Sequence, residues 1–178
     1  MQILAIFITI ILIVVLAITL IMLIAVVISN FTSAPFLPSN KKALNKMIEM
    51  ADLNSDDIVY DLGSGDGKVV IAAARHGIKK AVGFETNPIL NLIAKLNARF
   101  FKVKNVEFVT TNLFNADLSK CNKVFVYLLP KAMAKLETKI MEEMPNGGLV
   151  ISNTFRFKNL VPTQSSESPR ILIYKISK

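Results

Sequence analysis

The chain has 178 residues, 52% of them hydrophobic, and 21 Lys and Arg against 13 Asp and Glu give a net charge of +8. A single cysteine, Cys121, excludes an internal disulfide, and a single histidine, His76, leaves no basis for a histidine-built metal centre or a serine–histidine triad. No Asp, Glu, Lys or Arg precedes Lys41, so the length divides into an uncharged N-terminal stretch and one basic globular domain.

Residues 3–28 form an apolar run broken only by Thr9, Thr19 and small alanines. As a helix rising 1.5 Å per residue it measures about 39 Å. That exceeds the roughly 30 Å hydrocarbon core of a bilayer, so the run spans with tilt or overhang. It lacks a basic n-region and outruns a signal-peptide h-region, which favours an uncleaved anchor over residues 1–28. Lys41, Lys42 and Lys46 follow the span, so the positive-inside rule predicts a single-pass membrane protein with its domain on the cytoplasmic side. A basic domain is also drawn to an anionic leaflet. Residues 29–40 carry Pro35 and Pro38 and read as a short linker to a domain over 41–178. Ser39 is expected to cap a helix over 40–51, with Leu44, Met47, Ile48 and Ala51 on one face. That helix precedes the first strand and is placed to lie over the loop that follows it.

The loop is the most informative stretch. Ile58, Val59 and Tyr60 read as a buried strand ending at Asp61, followed by Gly63, Gly65 and Gly67 and then an apolar helix. Such a strand–glycine loop–helix unit lets a backbone pass close to a ligand at the carboxyl end of a parallel strand. A dinucleotide fingerprint needs its third glycine one place later, where Lys68 stands. Asp61 and Asp66, the latter expected at the helix N-cap, oppose a pyrophosphate. They suit a ligand with positive groups and no phosphate, such as S-adenosylmethionine (SAM), which carries a sulfonium and an ammonium.

The helix ends near His76 and Gly77, the glycine being a natural residue past a C-cap. Residues 82–85 then read as a second strand ending in Glu85, an acid placed to accept both ribose hydroxyls of a nucleoside. Asn87 is a plausible N-cap for a helix that Pro88 opens. With these residues in place, D-L-G-S-G-D-G and the acid after the second strand resemble the class I SAM-dependent methyltransferases. The resemblance implies a Rossmann-like α/β fold with helices on both faces of the sheet. It also implies SAM contacts from Asp61, Gly63, Ser64, Gly65, Gly67, Glu85 and Asn87.

An amphipathic helix over 88–101 leads to a third strand at 105–109. After it, Asn112 and Leu113 stand where the family usually offers an acid to the adenine amino group; the Asn112 side-chain oxygen can still accept that hydrogen bond. Residues 123–127 form a fourth strand, followed by Leu128-Leu129-Pro130 and a helix over 131–144. In this fold the end of the fourth strand faces the transferred methyl, which makes Tyr127 the candidate acceptor contact. The segment is not the Asn/Asp-Pro-Pro-Tyr motif of methyltransferases acting on bases or glutamine, and no general base is evident. A turn at 145–148 precedes a fifth strand over 149–155. Residues 156–169 read as polar and irregular, and 170–176 as a last, antiparallel strand. The expected sheet therefore has about six strands, one fewer than the family norm.

The span, the proline linker, D-L-G-S-G-D-G-K, G-F-E-T-N-P and Leu-Leu-Pro resemble, in their order, the membrane-anchored protein-lysine methyltransferases. That group includes mitochondrial enzymes acting on the ATP synthase c-subunit and an adenine nucleotide carrier. It implies a lysine acceptor on a membrane protein, reached from the lipid bilayer through the N-terminal helix. No metal is expected, and nucleic-acid binding is the weaker option, because no nucleic-acid motif is recognisable and the membrane surface explains the basic charge equally well. Two readings compete: methylation of a lipophilic small molecule such as a quinone or lipid, favoured by an apolar pocket at Leu128 and Leu129, and a non-catalytic membrane scaffold.

Overall fold

A computed structural model describes residues 2–31 and 40–178. It divides into two compact units, Met1–Pro35 and Phe36–Lys178.

The first unit is one helix, α1 (Gln2–Phe31), with no charged residue in its first or last turn. Ile6–Ile24 is long and apolar enough to cross a membrane, and none of it is buried inside the protein. The helix runs through Phe31, past the expected start of the linker at residue 29. Serine and asparagine are tolerated in a last helical turn, and the first proline comes only at Pro35. Residues 32–39 of the linker, including Ser39, lie outside the described residues.

The second unit opens with α2 (Lys41–Met50). Asn40, not Ser39, is its N-cap: extended at φ −70°, it accepts from the Ala43 N–H at 2.7 Å. α2 buries Ala43, Met47 and Ile48, and it packs against the first core helix and the far strands of the sheet. The order continues as β1 (Ile58–Leu62), α3 (Lys68–Ala74), β2 (Lys80–Glu85), α4 (Pro88–Phe100), β3 (Val106–Thr110), two short 3-10 turns, β4 (Lys123–Val126), α5 (Pro130–Glu143), β5 (Leu149–Asn153), β6 (Gln164–Glu167) and β7 (Arg170–Lys175).

The seven strands lie in the order β3-β2-β1-β4-β5-β7-β6. β1 to β5 are parallel, and β7 runs antiparallel to both β5 and β6. The central strands read as continuous apolar runs because helices cover both faces; Val59, Val124, Phe125, Val126, Val150 and Ile151 are all fully buried. Right-handed crossovers put α3 and α4 on one face and α5 on the other, because the strand order reverses between β1 and β4. That reversal opens a crevice at the carboxyl ends of β1 and β4.

The seventh strand corrects the expectation of about six. β6 lies within the stretch read as irregular, and Gln164, Ser165 and Glu167 are exposed, so no hydrophobic alternation announces it. As an edge strand it needs only its main-chain pairing with β7, from Gln164 beside Ile173 to Glu167 beside Arg170.

The amino end of the sheet is held by a buried ion pair. Lys123 Nζ lies 2.8 Å from Asp57 Oδ2 and donates to the Ala51 carbonyl at 2.8 Å. The second Asp57 oxygen accepts from Asn122 Nδ2 at 2.7 Å, so the charge is paired and its lone pairs are used.

Candidate active site

The crevice is built by register. Leu62 at the end of β1 lies beside Phe84 of β2 and Val126 of β4, so Gly63, Glu85 and Tyr127 all emerge at the same level. Glu85 in turn pairs with Thr110 of β3, which brings Thr111 and Asn112 to the same edge.

The glycines of the loop take backbone conformations that side chains disfavour: φ is +90° at Gly63, +53° at Gly65 and +82° at Gly67. Gly67 is also pinned by packing. A Cβ there would come within 2.8 Å of both Ala94 Cβ and Phe108 Cε1. This third glycine, rather than Asp66, is the residue preceding α3, in the left-handed region and with no side-chain cap. Asp66 instead turns its carboxylate to Lys68 Nζ at 2.6 Å.

Four of the loop's N–H groups are committed within the protein. Those of Gly63 and Ser64 donate to the Phe84 carbonyl at 2.9 and 3.1 Å, and that of Gly67 to the Ser64 carbonyl at 2.9 Å. The Gly65 N–H donates to Glu85 Oε2 at 3.0 Å. A pyrophosphate-binding loop works by presenting such groups to phosphate oxygens. Four of those between Gly63 and Gly67 are spent elsewhere, which supports the electrostatic argument from Asp61 and Asp66.

Glu85 is the clamp of the site. One carboxylate oxygen accepts from Gly65, and the other from the Asn87 N–H at 2.8 Å, with the Thr86 hydroxyl at 3.3 Å. A carboxylate held from below by two backbone groups presents its remaining lone pairs in a set direction. Asn87 is occupied in its expected capping role, its Oδ1 accepting from Ile89 at 2.9 Å. Asn112 is exposed, and its Oδ1 accepts from the Phe114 N–H at 3.0 Å, capping a 3-10 turn. One lone pair of that oxygen is therefore already used. Leu113, next to it, is buried.

Asp61 is 6% exposed. Burial first, then the nearby Glu85 and Asp66 carboxylates, push its carboxyl up to about 8 from 3.8. Ser64 Oγ is buried with no hydrogen-bond partner and packs against Gly83 of β2, 2.6 Å from where a Cβ there would stand. The crevice thus holds a buried acid with no ion-pair partner among the described residues, and SAM offers it an ammonium. The residues present fit that cofactor.

At the acceptor end, Tyr127 leaves β4 half-buried and stacks on Phe155, with ring centroids 6.1 Å apart and planes 25° apart. Phe155 reaches Tyr127 because Thr154, at φ +70°, turns the chain past β5, and the Ser152 hydroxyl holds the Phe155 carbonyl at 2.6 Å. The segment beyond is tied down by buried Glu137 of α5, whose two oxygens accept from the Lys158 and Asn159 N–H groups at 3.0 and 2.7 Å. Leu128 is buried under the loop, 3.3 Å from where a Gly63 Cβ would stand. Sequence reasoning singled out Tyr127 but not Phe155, whose one signal is an aromatic residue at the carboxyl end of a core strand. α2 packs against α3, β5 and β7.

Comparison with known proteins agrees with this geometry. Residues 61–164 match the family described as the ANTKMT methyltransferase domain. The chain is 34% identical over 133 residues to a protein-lysine N-methyltransferase of Saccharolobus islandicus, covering 73% of this chain and 82% of that one. It is 33% identical to the lysine N-methyltransferase of the ATP synthase c-subunit from Xenopus laevis, over 72% of its own length and 56% of the relative's. It thus spans only about half of the vertebrate relatives it matches. Among solved structures, an RNA methyltransferase from Salinibacter ruber in complex with S-adenosyl-L-homocysteine superposes with a TM-score of 0.77 at 37% identity, covering 80% of this chain and 95% of that one. The match of family and fold, over a crevice that suits its cofactor, places the chain in the ANTKMT methyltransferase domain family, as a SAM-dependent methyltransferase of the protein-lysine N-methyltransferase kind.

Proposed function

We propose that the chain methylates a lysine of a membrane-associated protein while α1 holds it in the bilayer. The observation that carries the cofactor half is the Asp61–glycine loop–Glu85 cradle, in which four loop N–H groups are spent on the protein and Asp61 is buried near Glu85. The lysine half is supported by family membership and by the names of the vertebrate relatives, which include an adenine nucleotide translocase lysine N-methyltransferase of Mus musculus, 40% identical over 54% of this chain.

SAM, when bound, supplies a methyl group on a positively charged sulfur. Glu85 would accept the ribose hydroxyls with the lone pairs that Gly65 and Asn87 leave free. Asp61 would take the ammonium, and Gly63, Ser64, Gly65 and Gly67 let the backbone pass close to it. Asn112 and Leu113 would flank the adenine. Tyr127, braced by Phe155, would lie along the incoming lysine, whose apolar stem suits an aromatic face. An amine that arrives neutral needs no base, so alignment is the main demand on the acceptor side.

The anchoring half rests on α1, whose segment Ile6–Ile24 has the length and composition of a span. The three lysines after it favour a cytoplasmic domain. A second reading has an RNA acceptor, favoured by the description of the Salinibacter ruber structure and by the net charge of +8. Incubating the full chain with native membranes, total RNA and methyl-labelled SAM separates the two. The proposal predicts label in protein, as methyl-lysine. Label in RNA or in extracted lipid would replace it.

A further inference from the structure

α4 is amphipathic, but its polarity is reversed. The face it turns to the sheet is small and partly polar, with Asn91, Ala94 and Ala98 buried. The opposite face presents Ile89, Leu92, Leu96 and Phe100 at spacings of three and four, so they form one stripe. Phe100 is 79% exposed and Leu92 57%. Phe101, 44% exposed, extends the stripe past the helix end. A helix serving only to cover a sheet has its apolar stripe on the inside. Contiguous exposed apolar surface of this kind marks a contact.

The charges around the stripe indicate what it meets. Lys95, Arg99, Lys102 and Lys104 are all exposed, and no Asp or Glu occurs from Pro88 to Asn105. Arg75, at the end of α3, sits 4.6 Å over the Phe101 ring and adds a fifth cation. The next acid, Glu107, is paired with Lys80 at 2.6 Å. An apolar stripe flanked by cations alone is the composition of a helix that lies in a membrane interface, with hydrophobic side chains among the acyl boundary and cations on anionic headgroups.

We propose that the outer face of α4 rests on the anionic surface of the bilayer that α1 spans, so that the domain docks on the membrane by a second contact. α4 begins at Pro88, three residues after Glu85, so docking brings the Glu85 side of the crevice close to the lipid surface. The proposal extends the membrane-anchored reading and rests on it.

The test uses the full chain in nanodiscs, one set with about a third phosphatidylserine and one with phosphatidylcholine alone. A spin label is placed through Phe100→Cys, with Glu142→Cys on α5 as the aqueous control; both positions are exposed. The native Cys121 is buried, and burial pushes its thiol up to about 12, so it does not compete for label. The expected result is that the label at position 100 is shielded from an aqueous nickel relaxant and open to oxygen in anionic discs, with at least a fivefold difference from position 142. That shielding should weaken in phosphatidylcholine or high salt and disappear in the Leu92→Glu, Leu96→Glu variant. Equal aqueous access at both positions would overturn the proposal. So would shielding that persists in detergent together with a doubled mass, which would make the stripe a contact between two copies. SAM titration of the same discs keeps the two claims apart: normal SAM binding with an aqueous label removes the docking claim alone.

Discussion

Asp61 gives the sharpest consequence of the site's electrostatics. Burial and the neighbouring Glu85 and Asp66 hold its carboxyl at about 8 in the fold, against 3.8 ordinarily. The folded chain therefore keeps a proton that the unfolded chain gives up. Its contribution to stability is full below pH 3.8 and is lost as pH rises through about 8. Across that window the loss is about 1.4 kcal/mol per pH unit, or about 4 kcal/mol by neutral pH. Asp61→Asn replaces the carboxyl by an uncharged group of the same shape and removes the slope. The stability difference between variant and parent should thus widen by about 3 kcal/mol between roughly pH 5 and 7, in the variant's favour. Urea unfolding of the full chain in detergent, read by tyrosine fluorescence, measures this, because all three tyrosines, Tyr60, Tyr127 and Tyr174, lie beyond Phe36. SAM, by contrast, favours the ionised acid. Its affinity for the parent should rise about tenfold per pH unit up to about 8, while the variant binds weakly and without that slope. Parallel pH profiles for the two proteins, in unfolding and in binding, would refute the reasoning.

Gly67→Ala places a Cβ 2.8 Å from Ala94 and Phe108 at a φ of +82°, and should cost about 3 kcal/mol of unfolding free energy in the same urea assay. Lys123→Met leaves Asp57 buried without its cation and should cost about 3 kcal/mol, with the SAM dissociation constant of the surviving folded protein unchanged. Tyr127→Ala should lower the turnover of a lysine acceptor by about 100-fold through lost alignment, with SAM affinity kept; steady-state kinetics with calorimetry separates the two.

Much of the fold was legible because the chemistry of a parallel sheet is written in local runs. The apolar strands at β1, β2, β4 and β5, the glycine loop and Glu85 are each specified by neighbours in sequence. What escaped is determined at a distance or from main chain alone. β6 has four polar residues and a reason to exist only once β7 lies beside it. The N-cap of α3 reads as Asp66 by residue type, yet the turn demands a left-handed residue there, and Gly67 supplies it. Phe155 becomes part of the site only after Thr154 reverses the chain. Periodicity found α4 but could not say which face was buried, since the side that packs is the less hydrophobic one.

Calorimetric titration of SAM into the full chain and its Glu85→Ala variant, with NAD as control ligand, tests the assignment of the crevice most directly. The account predicts saturable SAM binding by the parent, none of NAD, and loss of SAM binding in a variant whose urea transition is still cooperative. A folded Glu85→Ala protein that binds SAM as the parent does would contradict the Asp61–glycine loop–Glu85 cradle.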